Sequence, residues 1–173
     1  DGLTGTFNRR YFDTQLTSEF ARAARSRSSL GLILVDVDHF KLFNDHYGHQ
    51  AGDDCLRAVA RALRHTLWRP GDAVARYGGE EFACILPDTD LEGALMVAQR
   101  MTDAVHALGL AHETSTTDQV VTISAGVAVL SPGPGGTPSE LVALADEQLY
   151  KAKAGGRAQV CGLQGPAPAT LKA

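Results

Sequence analysis

The stretch Leu30–Val37, LGLILVDV, decides the fold class. An almost unbroken aliphatic run of this length is typical of a strand that is buried on both faces of a sheet. Its last residues include an acid, Asp36, and a second acid, Asp38, follows directly. The stretch therefore predicts a buried strand that ends in carboxylates.

The flanking sequence predicts helices that pack on this sheet. Asn8 is a good N-cap for a first helix, and Thr137-Pro138-Ser139-Glu140 has the pattern of a capping box before the last helix. Apolar residues at three- and four-residue spacing predict helices over residues 12–24, 40–47, 56–67, 91–105 and 141–152.

Further strands are predicted on both sides of these helices. Residues 73–77 and 81–86 form a predicted hairpin with Gly78 and Gly79 at its turn. Residues 119–130 predict a central strand, and residues 159–161 a short final one. The order α β α α β β α β α β favours a mixed sheet in one α/β domain over residues 1–162, followed by a flexible C-terminal tail over 163–173.

Composition excludes several classes of protein. The chain has 173 residues, 44% hydrophobic, which fits one globular domain, and its net charge of -4 argues against a general nucleic-acid binder. Three separated cysteines suggest buried filler rather than a disulfide or zinc framework. No apolar run is long enough to cross a bilayer and no signal peptide is evident, so we expect a cytoplasmic domain. Membrane anchoring of a longer protein stays open.

Two pairs of acids lie where strands end: Asp36 and Asp38 in VDVD, and Glu80 and Glu81 in GGEE. If the two strands are neighbours, Asp36 and a hairpin glutamate converge. Two carboxylates about 4 Å apart repel by roughly 4 kcal/mol at an effective dielectric constant of 20, so such a pair favours a cation between them. Oxygen ligands favour Mg²⁺ or Mn²⁺. The alternative is that these acids are solvated turn residues.

The cationic residues suggest anion binding. Lys41 follows the first acidic turn, and Lys153 and Arg157 flank Ala154-Gly155-Gly156, which suits a magnesium-bound triphosphate. The alternative is that the last two only complement a helix C-terminus. The turn Arg69-Pro70-Gly71-Asp72 offers a guanidinium to a phosphate or a purine edge, or else is a surface turn with an internal ion pair.

Four motifs together resemble the GGDEF domain family, the bacterial diguanylate cyclases. They are DGLTGTFNRRYF (1–12), VDVDHFKLFNDHYGHQAGDD (35–54), RYGGEEF (76–82) and KAKAGGR (151–157). Four motifs in this order and spacing are far more specific than GGEEF alone. Departures are mild: Thr6 replaces the commoner leucine, and Glu80 replaces aspartate and keeps the carboxylate.

The resemblance implies a palm-like α/β fold with a mixed sheet of about five strands, similar to nucleotidyl cyclase catalytic domains. It implies condensation of two GTP into cyclic di-GMP with release of two pyrophosphates, and two Mg²⁺ (or Mn²⁺) per active site. Each domain binds one GTP, so catalysis implies a homodimer, which an upstream sensory or receiver domain would control. Cyclic di-GMP would be both product and inhibitor.

The family's site residues are carried over by position. The metal ligands are Asp36, Glu80 and the carbonyl of Val37, and Glu81 binds metal or activates the 3'-hydroxyl. The guanine contacts are Asn44 and Asp53. The phosphate contacts are Lys41, Lys153, Arg157 and the backbone around His39 and Phe40. The RxxD product-inhibition site is Arg69 and Asp72, with Arg100 as a secondary contact.

Two other functions stay open. The first is a non-catalytic module that binds GTP or cyclic di-GMP and signals to a partner, although such modules usually lose the hairpin acids that are present here. The second is a cyclase with a different nucleotide preference.

Overall fold

Five helices and five strands make up the computed structural model, which describes residues 1–167. The helices are α1 (Arg9–Ser26), α2 (Phe40–Tyr47), α3 (His49–His65), α4 (Leu91–His106) and α5 (Pro138–Ala154). The strands are β1 (Leu30–Val37), β2 (Ala73–Arg76), β3 (Glu81–Pro87), β4 (Ile123–Leu130) and β5 (Val160–Gln164).

The predicted strand β1 lies at the centre of one mixed sheet with the strand order β2-β3-β1-β4-β5. It pairs antiparallel with β3 on one side and with β4 on the other, and all of its residues are buried. Only β5 is parallel to its neighbour β4. The expected mixed α/β sheet with the GGEEF hairpin is therefore confirmed.

Alternate residues of β1 face two separate cores, as the pleat of a strand requires. Ile33 and Val35 pack with apolar residues of α3 and α4, whereas Leu32 and Leu34 pack with those of α1 and α5. Helices thus cover both faces of the sheet, which explains why β1 is apolar without a break.

The predicted caps at the starts of α1 and α5 are confirmed. The Asn8 side chain accepts a hydrogen bond from the backbone N–H of Tyr11 (2.9 Å), as an N-cap does. At α5, the backbone N–H of Thr137 donates to the Glu140 carboxylate (3.2 Å), and Pro138 is the first helical residue. The helix predicted from Leu56 begins earlier, at His49.

Two strand boundaries differ from the predictions by more than one residue. The strand expected over 119–130 begins at Ile123, because residues before it form a loop in which Ala111 bridges to Val120. The last strand runs on to Gln164, and Leu163 pairs with Ala128 of β4, so residues 163–164 are not part of a tail. A Cβ at Gly162 would lie 2.8 Å from the Leu95 side chain, so this glycine permits close packing rather than ending the strand. Residues 165–167 of the predicted tail follow the strand, and the Gly165 N–H donates to the Val129 carbonyl (2.8 Å). The remaining residues, 168–173, lie outside the described residues.

Helix α5 lies directly on the sheet. A Cβ at Gly126 of β4 would overlap backbone atoms of Ala145 and Leu149, so only glycine allows this close approach. The close packing fixes the C-terminal end of α5, with Lys153, beside the end of β1.

The three cysteines are unpaired, but Cys161 is only partly buried because it lies on the edge strand β5, so the prediction of buried filler is wrong for this residue. Cys55 and Cys84 are buried, and burial raises the pKa of the Cys55 thiol to about 12. Among the helices of the described part of the chain, none combines the length and the apolar character needed to cross a membrane.

Candidate functional site

The acids of β1 and of the hairpin meet at the end of the two central strands. Asp36 lies opposite Glu81 in the antiparallel register, and the backbone N–H of Val37 donates to the carbonyl of Glu80 (3.2 Å). The structure thus brings together the three acidic side chains that the sequence singles out, together with the Val37 carbonyl.

Asp36 is the most buried of these acids, and its side chain is 13% exposed. Lys153 Nζ lies 2.8 Å from its Oδ2 atom. Burial raises the pKa of the Asp36 carboxyl, the hydrogen bond and charge of Lys153 oppose that rise, and repulsion from Glu80 and Glu81 adds to it. One lysine therefore faces three carboxylates, and the local charge is negative.

No preformed cage surrounds this cluster: across residues 1–167 no three His, Cys, Asp or Glu side chains are arranged as a metal site. The donor set that the cluster does present consists of carboxylate and carbonyl oxygens, which suits a hard divalent cation. A cation that also takes ligands from a substrate fits such an incomplete protein set.

The two acids of VDVD have different surroundings. Asp38 is buried and accepts hydrogen bonds from the Thr122 hydroxyl (2.8 Å), the Ser124 hydroxyl (2.6 Å) and the backbone N–H of Ala158 (3.1 Å). It ties β1 to β4 and to the turn after α5. Asp38 is therefore structural. The sequence analysis groups Asp38 with Asp36 as one cluster of acids, and this grouping is wrong.

An arginine that the sequence analysis did not single out supports the hairpin. Arg76 donates to the Gly79 carbonyl from Nε (3.0 Å) and Nη2 (2.8 Å), and its Nη1 lies 3.4 Å from the Asp1 carboxylate. A Cβ at Gly78 would lie 2.7 Å from the Glu81 carboxylate, so glycine keeps this glutamate in place. The signal was present in the sequence: an arginine two residues before the glycines.

The segment after Asp38 has an unusual backbone. His39 has a φ of 53°, and its carbonyl accepts a hydrogen bond from the buried His112 (3.2 Å). The Nε2 atom of His39 lies 3.0 Å from the Thr117 hydroxyl. The first N–H groups of α2, at Phe40 and Lys41, have no partner within their helix and suit phosphate oxygens. Sequence reasoning missed the His112 and Thr117 contacts, because these residues lie 73 and 78 positions from His39 in the chain.

The predicted guanine contacts lie between α2 and α3. The Asn44 Oδ1 atom is buried and has no hydrogen-bond partner in residues 1–167, although such an atom normally costs about 1–3 kcal/mol. A Cβ at Gly52 would overlap this atom, so glycine makes the space for it. Asp53 follows Gly52 and is exposed. An unsatisfied amide beside an exposed carboxylate is a suitable arrangement for a polar ligand.

The predicted phosphate contacts have different surroundings. Lys41 is exposed and pairs with Asp45 (2.9 Å). Arg157 has a φ of 65° in the turn after α5. Burial lowers the pKa of the His39 imidazole, and the charge of Arg157 lowers it further, which places this guanidinium near His39. Lys153 and Arg157 therefore do more than complement a helix end.

A second cluster lies near the opposite end of β3 from the hairpin, roughly 20 Å away at about 3.3 Å per residue. Arg69, Asp72 and Arg100 line one pocket of about 210 Å³. Arg69 Nη1 donates to the Thr89 hydroxyl (2.8 Å), and the Arg69 carbonyl accepts from the Asp72 N–H (3.0 Å). Burial raises the pKa of the Asp72 carboxyl, and the two arginines oppose that rise. The structure thus brings together the three residues predicted for the RxxD site.

Comparisons with known proteins agree with this geometry. The family model described as "Diguanylate cyclase, GGDEF domain" matches residues 1–159. The response regulator PleD of Caulobacter vibrioides is 43% identical over 166 residues, which cover 94% of this chain and 35% of PleD. The chain thus spans about a third of that curated relative.

Solved structures are also similar. The GGDEF domain of DgcB from Caulobacter crescentus, crystallised in complex with c-di-GMP, has a TM-score of 0.84 and 36% identity, covering 94% of each chain. The diguanylate cyclase SiaD of Pseudomonas aeruginosa, in complex with its activator SiaC, has a TM-score of 0.83 and 39% identity, covering 94% of this chain and 61% of SiaD. The sequence, the fold and the clustered motif residues therefore agree that this chain belongs to the GGDEF domain family of diguanylate cyclases.

Proposed function

We propose that this chain is the catalytic domain of a diguanylate cyclase, which condenses two GTP into cyclic di-GMP and releases two pyrophosphates. The observation that carries the proposal is the in-register approach of Asp36 and the hairpin acids with Lys153 beside them. Carboxylates for a metal and cations for phosphates meet there at one strand end, which is what phosphoryl chemistry on a nucleoside triphosphate requires.

We propose two Mg²⁺ (or Mn²⁺) ions per active site. Asp36, Glu80 and the Val37 carbonyl would hold them, with Glu81 beside them. The raised pKa of Asp36, to which repulsion from both glutamates contributes, reflects a local surplus of negative charge that a divalent cation would offset. When bound, the metal supplies Lewis-acid chemistry, which makes the attacking 3'-hydroxyl more acidic and offsets charge on the phosphates.

The predicted phosphate contacts Lys41, Lys153 and Arg157 would hold the triphosphate. Lys153 pairs with Asp36 and so lies at the place where a metal and the phosphate oxygens would arrive. We propose that it exchanges this carboxylate for the triphosphate. Arg157, Lys41 and the N–H groups at the start of α2 add donors for the remaining phosphate oxygens.

The amide and the carboxylate between α2 and α3 would read guanine. Asn44 can donate to O6, and Asp53 can accept from N1–H and N2–H₂, whereas adenine would leave both groups unpaired. Competition of ATP against GTP tests this assignment, because appreciable ATP incorporation would contradict it.

Two domains are needed for one product. Each domain would bind one GTP and offer its 3'-hydroxyl to the other, so we propose a homodimer as the active form. A regulatory partner is also proposed, because one relative is named a response regulator and another was crystallised with its activator. Cyclic di-GMP would bind at Arg69, Asp72 and Arg100 and inhibit the enzyme.

The experiment that tests the activity is incubation of the purified chain with GTP and Mg²⁺, followed by chromatographic separation of the nucleotides. Bound nucleotide is first stripped, and a second sample is dimerised through a fused coiled coil. We expect cyclic di-GMP and pyrophosphate from the wild type and neither from the Glu80→Ala/Glu81→Ala double variant. Absence of product from the forced dimer, or full activity of the double variant, would refute the proposal; binding of cyclic di-GMP without turnover would favour a sensor module.

A further inference from the structure

The only tryptophan of the chain, Trp68, lies immediately before Arg69 and lines the same pocket. Its surface is 72% exposed, which is unusual for so large an apolar side chain. One ring face contacts a charged group: the guanidinium carbon of Arg100 lies 3.9 Å from the ring centroid. Such cation–π contacts contribute about 0.5–1 kcal/mol at exposed sites.

Arg100 has few other contacts that fix its orientation. Its Nη2 atom donates to the Thr66 carbonyl (3.2 Å), while its Nε atom is buried and has no partner in the described part of the chain. An arginine side chain loses up to about 2 kcal/mol of rotamer entropy when it is ordered. The hydrogen bond to Thr66 and the stacking on the indole of Trp68 are therefore the contacts that offset this loss of entropy.

The other two members of the pocket are fixed differently. Arg69 donates to the Thr89 hydroxyl, and Asp72 lies in the turn closed by the Arg69 carbonyl. Arg100 comes instead from α4, far away in the chain. Trp68 is the side chain stacked on its guanidinium.

We propose that Trp68 is a positioning residue of the RxxD pocket, which orients the Arg100 guanidinium for an anionic cyclic dinucleotide. The inference rests on the proposed inhibitory function of this pocket. Ordering Arg100 before the ligand arrives removes that cost from binding, which is how preorganisation raises affinity. Trp68 acts through Arg100 and not through the ligand.

The test is a double-mutant cycle measured by calorimetric titration with cyclic di-GMP. We expect Trp68→Ala to weaken binding about three- to fivefold, the size of one exposed cation–π contact. In the Arg100→Ala background the same substitution should have no further effect. Tyr150→Ala removes an aromatic side chain of equal exposure (73%) on α5 and is the matched control, for which we expect unchanged affinity.

Three results would overturn the inference. Unchanged affinity in Trp68→Ala would show that the ring does not assist binding. Equal losses with and without Arg100 would show that the ring contacts the ligand directly. Full affinity in Arg69→Ala, or no binding by the wild type, would refute the proposed pocket and this inference with it. Weaker binding in Arg69→Ala together with unchanged binding in Trp68→Ala would refute this inference alone.

A ligand-free measurement tests the contact itself. Because Trp68 is the single tryptophan, its fluorescence reports on this position alone. Arg100→Ala should uncover the second ring face and raise the rate of acrylamide quenching, while thermal melting followed by circular dichroism checks that the variant is folded. Equal quenching in a folded variant would contradict the stacking.

Discussion

The two ends of β3 carry opposite charge patterns. At the hairpin end, Asp36, Glu80 and Glu81 meet one lysine, whereas at the other end Arg69 and Arg100 line a pocket that contains one acid, Asp72. In both places burial raises the pKa of an aspartate and a basic side chain opposes that rise. The net charge of the cluster is negative at the hairpin end and positive at the other end. The hairpin end therefore favours an added cation, and the other end favours an added anion.

In the proposed function, one strand would serve two ligands. The acidic end would be completed by a metal and a nucleotide, so its chemistry would depend on what the solution supplies. The basic end would need only an anionic ligand. Substitutions that affect one end and leave the other unchanged therefore test whether the two clusters are separate sites.

The largest expected effect comes from Asp36→Asn. Removing this carboxylate takes away a proposed metal ligand, and we expect turnover to fall on the order of 10³-fold, as for loss of a group that stabilises transition-state charge. Binding of cyclic di-GMP at the RxxD pocket should not change. Pyrophosphate release measures the first quantity and calorimetry the second.

The control for this variant is Asp13→Asn, the same chemical change at an exposed acid of α1 that pairs with Arg9. Loss of turnover in Asp13→Asn would show that the effect is not specific to Asp36. Loss of cyclic di-GMP binding in Asp36→Asn would contradict the prediction that the two clusters are separate sites.

Asp38→Ala should lower the free energy of unfolding, and its effect should not be limited to turnover. Three donors lose their acceptor inside the protein, and we expect the free energy of unfolding to fall by about 3 kcal/mol. Urea denaturation measures the change. A fall below about 1 kcal/mol would mean that Asp38 is not the structural acid of the pair.

Arg69→Ala should act at the basic end only. We expect binding of cyclic di-GMP to weaken about 30-fold, because removing one partner of a charged contact costs about 2 kcal/mol or more. Arg61→Ala, an exposed arginine of α3, is the matched control and should bind normally. Equal losses in both variants would indicate a general charge effect and no defined pocket.

The smallest effect concerns pH. A carboxyl whose pKa is raised in the folded state takes up its proton first in that state, so protonation stabilises the fold. In metal-free buffer, the unfolding free energy of the wild type relative to Asp36→Asn should therefore increase as the pH falls from neutral through the raised pKa of Asp36 toward about 3.9, the ordinary value for aspartate. Urea titrations at several pH values measure this difference, and a decrease would contradict the direction of the shift.

The local parts of the fold could be predicted from the sequence. Strand β1 and helix α2 have the predicted bounds, because an aliphatic run and a local apolar spacing are decided by nearby residues. The strand β5 was predicted too short, because Gly162 looks like a breaker until Leu95 of α4 is seen to pack against it.

The site shows the same division. The convergence of Asp36 with a hairpin glutamate could be predicted on the condition that the two strands are neighbours, and the register identifies Glu81 as the residue opposite. Asp38 could not be separated from Asp36, because its donors Thr122 and Ser124 are more than 80 residues away in the chain. The stacking of Arg100 on Trp68 likewise joins two elements whose contact no local pattern reveals.

The close packing of α5 on Gly126 has a consequence for protein synthesis. The acids of β1 and the hairpin are made early, but their lysine lies on a helix that can dock only after β4 has joined the sheet. Since a chain leaves the ribosome from its N-terminus, the acidic end stays unneutralised until α5 has emerged. We therefore expect a nascent chain to become able to bind nucleotide only after α5 has emerged and docked, so that termination before α5 yields fragments that do not compete for GTP.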